Sequence, residues 1–567
     1  MQKDFPGVYR LFVMGSRALL LAYALIFQFT GVAYAASVSL AWDPQLDSNV
    51  AGYNIYRSSE LGRFTSAPLN ESPITSTSFT DSTVEAGTYY YVVRAVDVFG
   101  RESDASNQVE ATINSASNDA IMFTIQNSSV EKPGGNNLEI EDSTGAPWAE
   151  AGASEMRFGY ARAQVEPGKM SNNIAVISRS IGNTVVSESS LAASAPIRAG
   201  RLYVNVEVPV NTGLAIVNDE AVAAFISFYF TDTNGVDFGY GSFMLEGKHS
   251  ISSFLNQAPF NLPRSMQGTL TFNSSLPVTV TGIRSLTNER GEFLMMTQPV
   301  SSLDGPTVRT PIIFPQFSDG GGWSTQIVLV NPTDTAVAGA VQFFGPASSG
   351  ASVSTLTMTV NGVTGSSFDY FIPPRSAVRF ATANASPDVH AGYVLATPRN
   401  DSVVPQGFSI LSLSNQGITV SQTSVPATTP GTVFQMYVEK SATLQSSLAL
   451  ANPSASPAWT TLELAPLDGS TLSRITSIVI PAGGHTARLI GDLFPTVPDG
   501  FRGILRTVST QSVGVTDLRI RSNDRGDVIV TGFPVASEAS TPTSSTLVFP
   551  LVVKGGGFST EFIGVTN

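Results

Sequence analysis

The sequence predicts an all-β protein, a tandem series of antiparallel β-sandwiches strung like beads on a string. Three observations lead there. Apolar and polar residues alternate over short runs, as in FISFYF (225–230) and VTVTGI (278–283), the period of a half-buried strand. Turn formers punctuate these runs, with 49 glycines and 34 prolines, at the short spacing that marks sandwiches. Finally, one strand pattern recurs. TGLAIVND, TQIVLVNP, SSLALANP and TEFIGVTN place an asparagine at 218, 331, 452 and 567, with spacings of 113, 121 and 115 residues. Each spacing is the length of one sandwich domain.

Composition narrows the function classes. Charged residues are 13% and the net charge is −13, which argues against a nucleic-acid partner, because phosphate binding is dominated by Lys and Arg. Cysteine is absent, so no disulfide, thiol nucleophile or thiolate metal site can form.

Taken in order, the chain opens with Lys3, Arg10 and Arg17 before the apolar run ALLLAYALIFQF (18–29) and the A-x-A site Ala33-Tyr34-Ala35. Residues 1–35 therefore read as a removable signal peptide. The run is shorter than a spanning helix, so a secreted or cell-surface protein is expected, with no membrane insertion after signal removal.

Residues 36–115 form the next segment. SVSLAWDP alternates, with Val38, Leu40 and Trp42 on one face. GYNIYR, SFTD and TYYYVVRAVD follow as strands, the last placing Tyr89, Tyr91, Val93 and Ala95 on one face. The run L-x-W-D-P, G-Y-N-I-Y-R, F-T-D, G-T-Y-Y-Y-V-V-R-A-V-D, G-R-E-S resembles a bacterial fibronectin type III domain. That resemblance implies a seven-stranded sandwich, with Tyr89 as the candidate tyrosine corner, and a spacing or binding role.

Beyond this lie immunoglobulin-like or fibronectin type III-like units at 201–302, 310–428 and 430–537, and a divergent one at 116–200. In the last, GYARAQ at Gly159 matches GYVLAT at Gly392. Residues 545–567 read as the start of a further, incomplete repeat. Its two strands cannot bury a core alone, so truncation is the simpler expectation, with self-association by strand addition the other. The linkers TINSASND, SSLDGPTVRTP, ATTPGT and ASEASTPTSST are short and predict limited flexing. GGGW[ST]T…LVNP and NERGEF resemble repeats of uncharacterised secreted bacterial proteins, which implies export and a sandwich array but no activity.

The candidate chemistry is thin. GGGWST (320–325) precedes a strand without a following Lys, so it reads as a tight turn rather than a phosphate loop. His249 and His485 read as one repeat position, and His390 as a strand-entry residue. There is no G-x-S-x-G or H-E-x-x-H. Asp232, Asn234 and Asp237 around Gly235 could begin a calcium loop but read better as a hairpin. Arg525-Gly526-Asp527 spells the integrin tripeptide, yet Arg290-Gly291-Glu292 recurs in its place in another unit, as a turn would. The acids Asp232, Asp237, Glu289, Glu292, Asp524 and Asp527 fall mainly in turns, where solubility alone would put them. Phe228, Phe230, Phe343 and Trp323 read as core or strand anchors before a carbohydrate platform.

No catalytic, cofactor-binding or metal-ligating residue is assigned. The expectation is a non-catalytic scaffold, adhesion or recognition protein for extracellular glycan or protein. The alternative is the accessory region of a larger secreted polysaccharide-active enzyme.

Overall fold

The computed structural model describes residues 173–305, 307–347, 355–399, 401–467 and 474–538. It also describes 23–24, 36–42, 50–60, 62–64, 67–84, 87–106, 108–113, 138–142, 157–164 and 546–563. The signal read at 1–35 thus lies outside the described residues, apart from Tyr23–Ala24, which pair with Ser39 and Val38. Asn567 lies outside them too. The fold is all-β, with one single-turn helix, Ile490–Leu493, among the described residues. It divides into two compact units, 1–118 and 119–567.

In the first unit, Val50–Ser58, Gly87–Asp97 and Val109–Ile113 form one sheet, and Ala36–Ala41 pairs with Ser78–Val84 in another. Their inward faces meet in a core of Leu40, Trp42, Tyr53, Ile55, Tyr91, Val93 and Ala95. The period-2 alternation of the long strand decides which of its side chains join that core. Tyr91 is fully buried and donates its hydroxyl to Asp81 (3.0 Å). Tyr89, the residue singled out by resemblance, is half-buried with the Arg57 guanidinium 5.2 Å above its ring.

In the second unit the sandwiches predicted from the repeats are present, and they are packed on one another. The second repeat folds over 197–302 and the fourth over 431–537. In each, a 22-residue strand, Met266–Thr287 or Phe501–Ser522, belongs to both sheets. Its first half pairs with the strand before the hairpin (Ile197–Val206; Gly431–Lys440) and its second half with the strand after it (Val210–Asn218; Leu444–Ala451). The third repeat, 312–426, divides that long strand into His390–Pro398 and Gln406–Asn415.

The segments read as a divergent unit (116–200) and an incomplete one (545–567) are two parts of one sandwich. Thr546–Lys554 pairs with Arg157–Gln164, and Phe558–Ile563 pairs with Ile174–Ile181. The third repeat is built alike, down to a bulge that precedes the pairing with Gly392 there and with Gly159 here. Phe549, Leu551, Val552, Val553 and Phe558 enter a core with Phe158, Ala161, Ile177 and Leu191. So the last strands of the chain meet the sheet edges of its own first repeat.

The result is a closed ring of four sandwiches, joined head to tail. One buried tyrosine marks each junction. Tyr160 of the first repeat reaches the Lys248 carbonyl of the second (3.2 Å), and Tyr393 of the third reaches that of Gly483 in the fourth (3.2 Å). Tyr203 of the second packs edge-on to Phe408 of the third (6.3 Å). Tyr437 of the fourth packs with Ile174, Val176 and Ile563 of the first. Around the axis, four hairpin strands exchange hydrogen bonds. Ser187 Oγ receives the Met295 N–H (2.9 Å), and Ser421 Oγ receives that of Val530 (2.9 Å). Ser424 donates to the Thr297 carbonyl (2.6 Å), and Ser190 to that of Gly532. The first and third repeats are thus equivalent, as are the second and fourth. Short linkers hold the sandwiches close enough for these apolar faces to be buried, which is why the beads do not hang free.

The recurring asparagine has a structural explanation. Asn331 is fully buried, and its amide donates to the carbonyls of Thr335 (2.7 Å), Pro373 (2.9 Å) and Ile372 (3.1 Å). Asn218 and Asn452 make the same three bonds in their repeats. Each fastens a strand end to a turn and to a strand of the facing sheet, with its own buried amide fully engaged.

Candidate functional site

The two glycine triplets are hairpin turns. Gly320 and Trp323 exchange both backbone bonds, as do Gly555 and Phe558. Gly321 (φ +58°) and Gly556 (φ +60°) sit in the left-handed region at the turn centres, which glycine adopts without steric cost.

The histidines are not at one repeat position. Asn218 pairs with His249, whereas Asn452 N–H bonds to the Gly484 carbonyl, and His485 sits opposite Ala451. The two are offset by one residue, and period 2 turns them to opposite faces. His249 is half-buried with Nδ1 2.8 Å from the Gly247 carbonyl. His485 is buried at the junction of the third and fourth repeats, 3.0 Å from Gln316 Oε1, and burial pulls its pKa down to about 4. His390 is exposed at a strand start.

The acids are engaged by the fold. Asp232 Oδ1 accepts the N–H groups of Asn234 (2.9 Å) and Val236 (3.0 Å), closing a hairpin. Asp237 accepts from Thr231 (2.7 Å) and pairs with Arg375 of the third repeat (3.0 Å). At the ring axis the two N-[ED]-R-G-[ED] turns face each other and exchange partners. Arg290 pairs with Asp527 (2.5 Å), and Arg525 with Glu292. The Asp527 side chain is only 5% exposed, so this tripeptide is an inter-repeat clasp. Glu289 accepts the Thr419 N–H (2.7 Å); among the six acids expected merely to solvate turns, Asp524 alone is left exposed with no bond described. Phe228, Phe230 and Phe343 fill cores, and Trp323 packs against Leu411, Val425, Leu518 and Val530.

The site the structure offers is a different one, an open groove of about 320 Å³ between the second and third repeats. Tyr203, Thr233 and Gln267 line it from the second repeat, and Asn361, Phe371 and Arg379 from the third. The strand Ser367–Ile372 alternates so that Phe368, Tyr370 and Ile372 point inward and Phe371 outward, 69% exposed. Opposite Phe371 stands Ala338, too small to cover the ring. Asn361 is committed to the wall, donating to the Arg379 carbonyl (2.9 Å) and accepting from Ala381 N–H (2.9 Å). Gln267 donates to Glu207 (2.8 Å) at the rim. The Tyr203 hydroxyl is buried without a partner, and burial raises its pKa against the lowering influence of Arg379 and Arg284. A flat apolar face, a cation and amide and hydroxyl groups thus converge on one cleft. Among the described residues, no three potential metal ligands gather.

No family model matches the chain, and no curated protein matches it. Among solved structures, it is similar to an alpha-L-rhamnosidase from Dictyoglumus thermophilum, at 10% identity over 71% of this chain and 47% of that one, with a TM-score of 0.16. It is also similar to Streptomyces avermitilis alpha-L-rhamnosidase complexed with L-rhamnose, at 10% identity over 86% and 55% of the two chains, with a TM-score of 0.12. The chain spans about half the length of each. Likenesses this low carry no argument about fold or activity.

None of the groove residues was singled out from sequence. Phe371 could have been, because FDYFI carries an aromatic out of phase with its inward neighbours.

Proposed function

We propose that this is an exported, non-catalytic recognition protein. An N-terminal fibronectin type III-type module would precede a ring of four sandwiches whose groove binds extracellular glycan. The observation that carries the reading is the exposed Phe371 ring beside Arg379, at a cleft walled by two repeats that are locked together. Sugar rings stack their apolar faces on aromatic side chains, while hydroxyls take amide and hydroxyl partners, the mix found in small-ligand clefts. The locked walls support the reading further, since a preorganised cleft loses little conformational entropy on binding. Glycan-array screening of the secreted protein, followed by calorimetry on wild type and Phe371→Ala, tests it. Binding reduced tenfold or more by Phe371→Ala, with an unchanged melting temperature, is expected. Undiminished binding in that variant, or hydrolysis of a bound polymer, would overturn it.

A further inference from the structure

The pairing of equivalent repeats allows one junction to be read against another. At the junction of the fourth and first repeats, the Arg519 side chain is 3% exposed and flanked by two carboxylates, Glu439 (2.8 Å) and Glu188 (3.3 Å). Strand registers identify the counterparts at the junction of the second and third. Leu448 opposite Asp517 corresponds to Leu214 opposite Gly282, which makes Arg284 the equivalent of Arg519. Val438 opposite Gly503 corresponds to Val204 opposite Gly268, which makes Asn205 the equivalent of Glu439. Glu188 opposite Ser178 corresponds to Gln422 opposite Ser412. The arginine is kept and both of its carboxylates are replaced by amides.

Arg284 is consequently anomalous. It is 2% exposed, and its Nε and Nη1 meet no acceptor among the described residues. Met296, opposite Arg284 across the sheet, packs with Tyr203, Ala377 and Phe408, so this part of the strand lies at the junction. The charge that acts on Arg284 is that of Arg379, and the neutral Tyr203 hydroxyl is its other titratable neighbour; both line the groove. Arg379 adds a second cation and no carboxylate; Glu207, at the rim, is exposed and held by Gln267. Asn205 Oδ1 and Gln298 Oε1 are also buried without donors, which leaves room in the hydrogen-bond inventory for a hydrated guest. An uncompensated buried guanidinium is costly, and burial lowers its pKa only to about 10, so it stays charged at neutral pH.

We propose that the junction of the second and third repeats binds a carboxylate, free or carried on a uronic acid unit of a glycan. Arg284 is the buried counter-charge, and Arg379 guides the anion from the groove. Only the glycan-borne source rests on the recognition reading above.

The test is calorimetry on the full chain at low ionic strength, with acetate, glucuronate and glucose as probes. Acetate and glucuronate should bind with one site per chain, and glucose should not. Arg284→Met should weaken acetate binding at least tenfold. Should that variant misfold, Asn205→Glu decides, because it installs the carboxylate that the other junction already has. It should raise the melting temperature and weaken acetate at least tenfold. Phe371→Ala should weaken binding of an oligouronate tenfold or more. Acetate binding with no oligosaccharide binding would keep the anion site and remove the glycan reading. Absence of acetate binding in wild type, undiminished binding in Asn205→Glu, or a lower melting temperature for that variant would overturn the proposal.

Discussion

Deleting residues 545–567 should unfold the first repeat while leaving the second to fourth folded. Phe549, Leu551, Val552, Val553 and Phe558 are each 5% exposed or less in the intact chain. Removing them withdraws five large apolar side chains from one core, at roughly 1.5–3 kcal/mol each, or about 8–15 kcal/mol together. That sum is an upper estimate, because unfolded chains already bury some apolar surface. It still matches the whole stability of a typical domain. The strands Arg157–Gln164 and Ile174–Ile181 would also lose a row of backbone partners. Limited proteolysis with mass spectrometry should show new cleavage within 157–164 and 173–196 in the truncated protein, at protease levels that leave those strands intact in wild type. A synthetic 545–567 peptide added in trans should restore protection. Equal resistance of truncated and intact protein would refute the idea that these strands complete the first repeat.

Other outcomes follow from single groups. Asn452→Ala removes three hydrogen bonds donated by a fully buried amide and should cost about 2–4 kcal/mol in thermal or urea unfolding. His485 has a folded pKa of about 4 against an ordinary 6.5, so the unfolded chain takes up its proton first as pH falls. Its contribution is full above pH 6.5 and is lost progressively toward pH 4, by about 3 kcal/mol; melts of His485→Gln across that range should lack this part of the slope. The hydrogen bond from Arg290 holds the Asp527 carboxyl below its usual range. That stabilisation is present above pH 4 and is lost as pH falls further. Asp527→Asn should cost about 1–2 kcal/mol at neutral pH, and a double-mutant cycle with Arg290→Gln should show coupling between the two.

What was legible in the sequence was local. A positive φ at Gly321 or Gly556 demands glycine, so the triplets announce their turns. Asn218, Asn331 and Asn452 repeat because one amide does the same bonding in each sandwich. The offset of His249 and His485 was hidden because EGKH and AGGH look alike, while Lys248 and Gly483 share the same left-handed backbone (both φ +61°). That places Gly484, not His485, beside the asparagine. Completion of the first repeat by 546–563 leaves no local mark, since its partners lie hundreds of residues away. A trace was nevertheless there: 116–200 shows the later strands of a repeat and 545–567 shows only the first two. Phe371 left a mark in the out-of-phase aromatic of FDYFI, Arg379 looks like an ordinary strand residue, and Arg284 gains meaning only when two junctions are compared.

Closure also bears on why a groove between repeats could serve recognition. In an open string, each junction could relax independently, and the cleft between Phe371 and Tyr203 would vary in width. Here every junction is head to tail, and the clasp of Arg290 with Asp527 and Arg525 with Glu292 ties the second repeat directly to the fourth. Opening one groove therefore strains the axis and the other three interfaces, so it must overcome several buried contacts at once. The third repeat is fixed from both sides, by Arg375 on Asp237 and by Tyr393 on the Gly483 carbonyl. A guest then meets a cleft whose shape was settled during folding. Under this geometry, substitutions at the axis, far from the groove, should loosen both walls together, whereas substitutions at Phe371 should alter the contact and leave the ring intact.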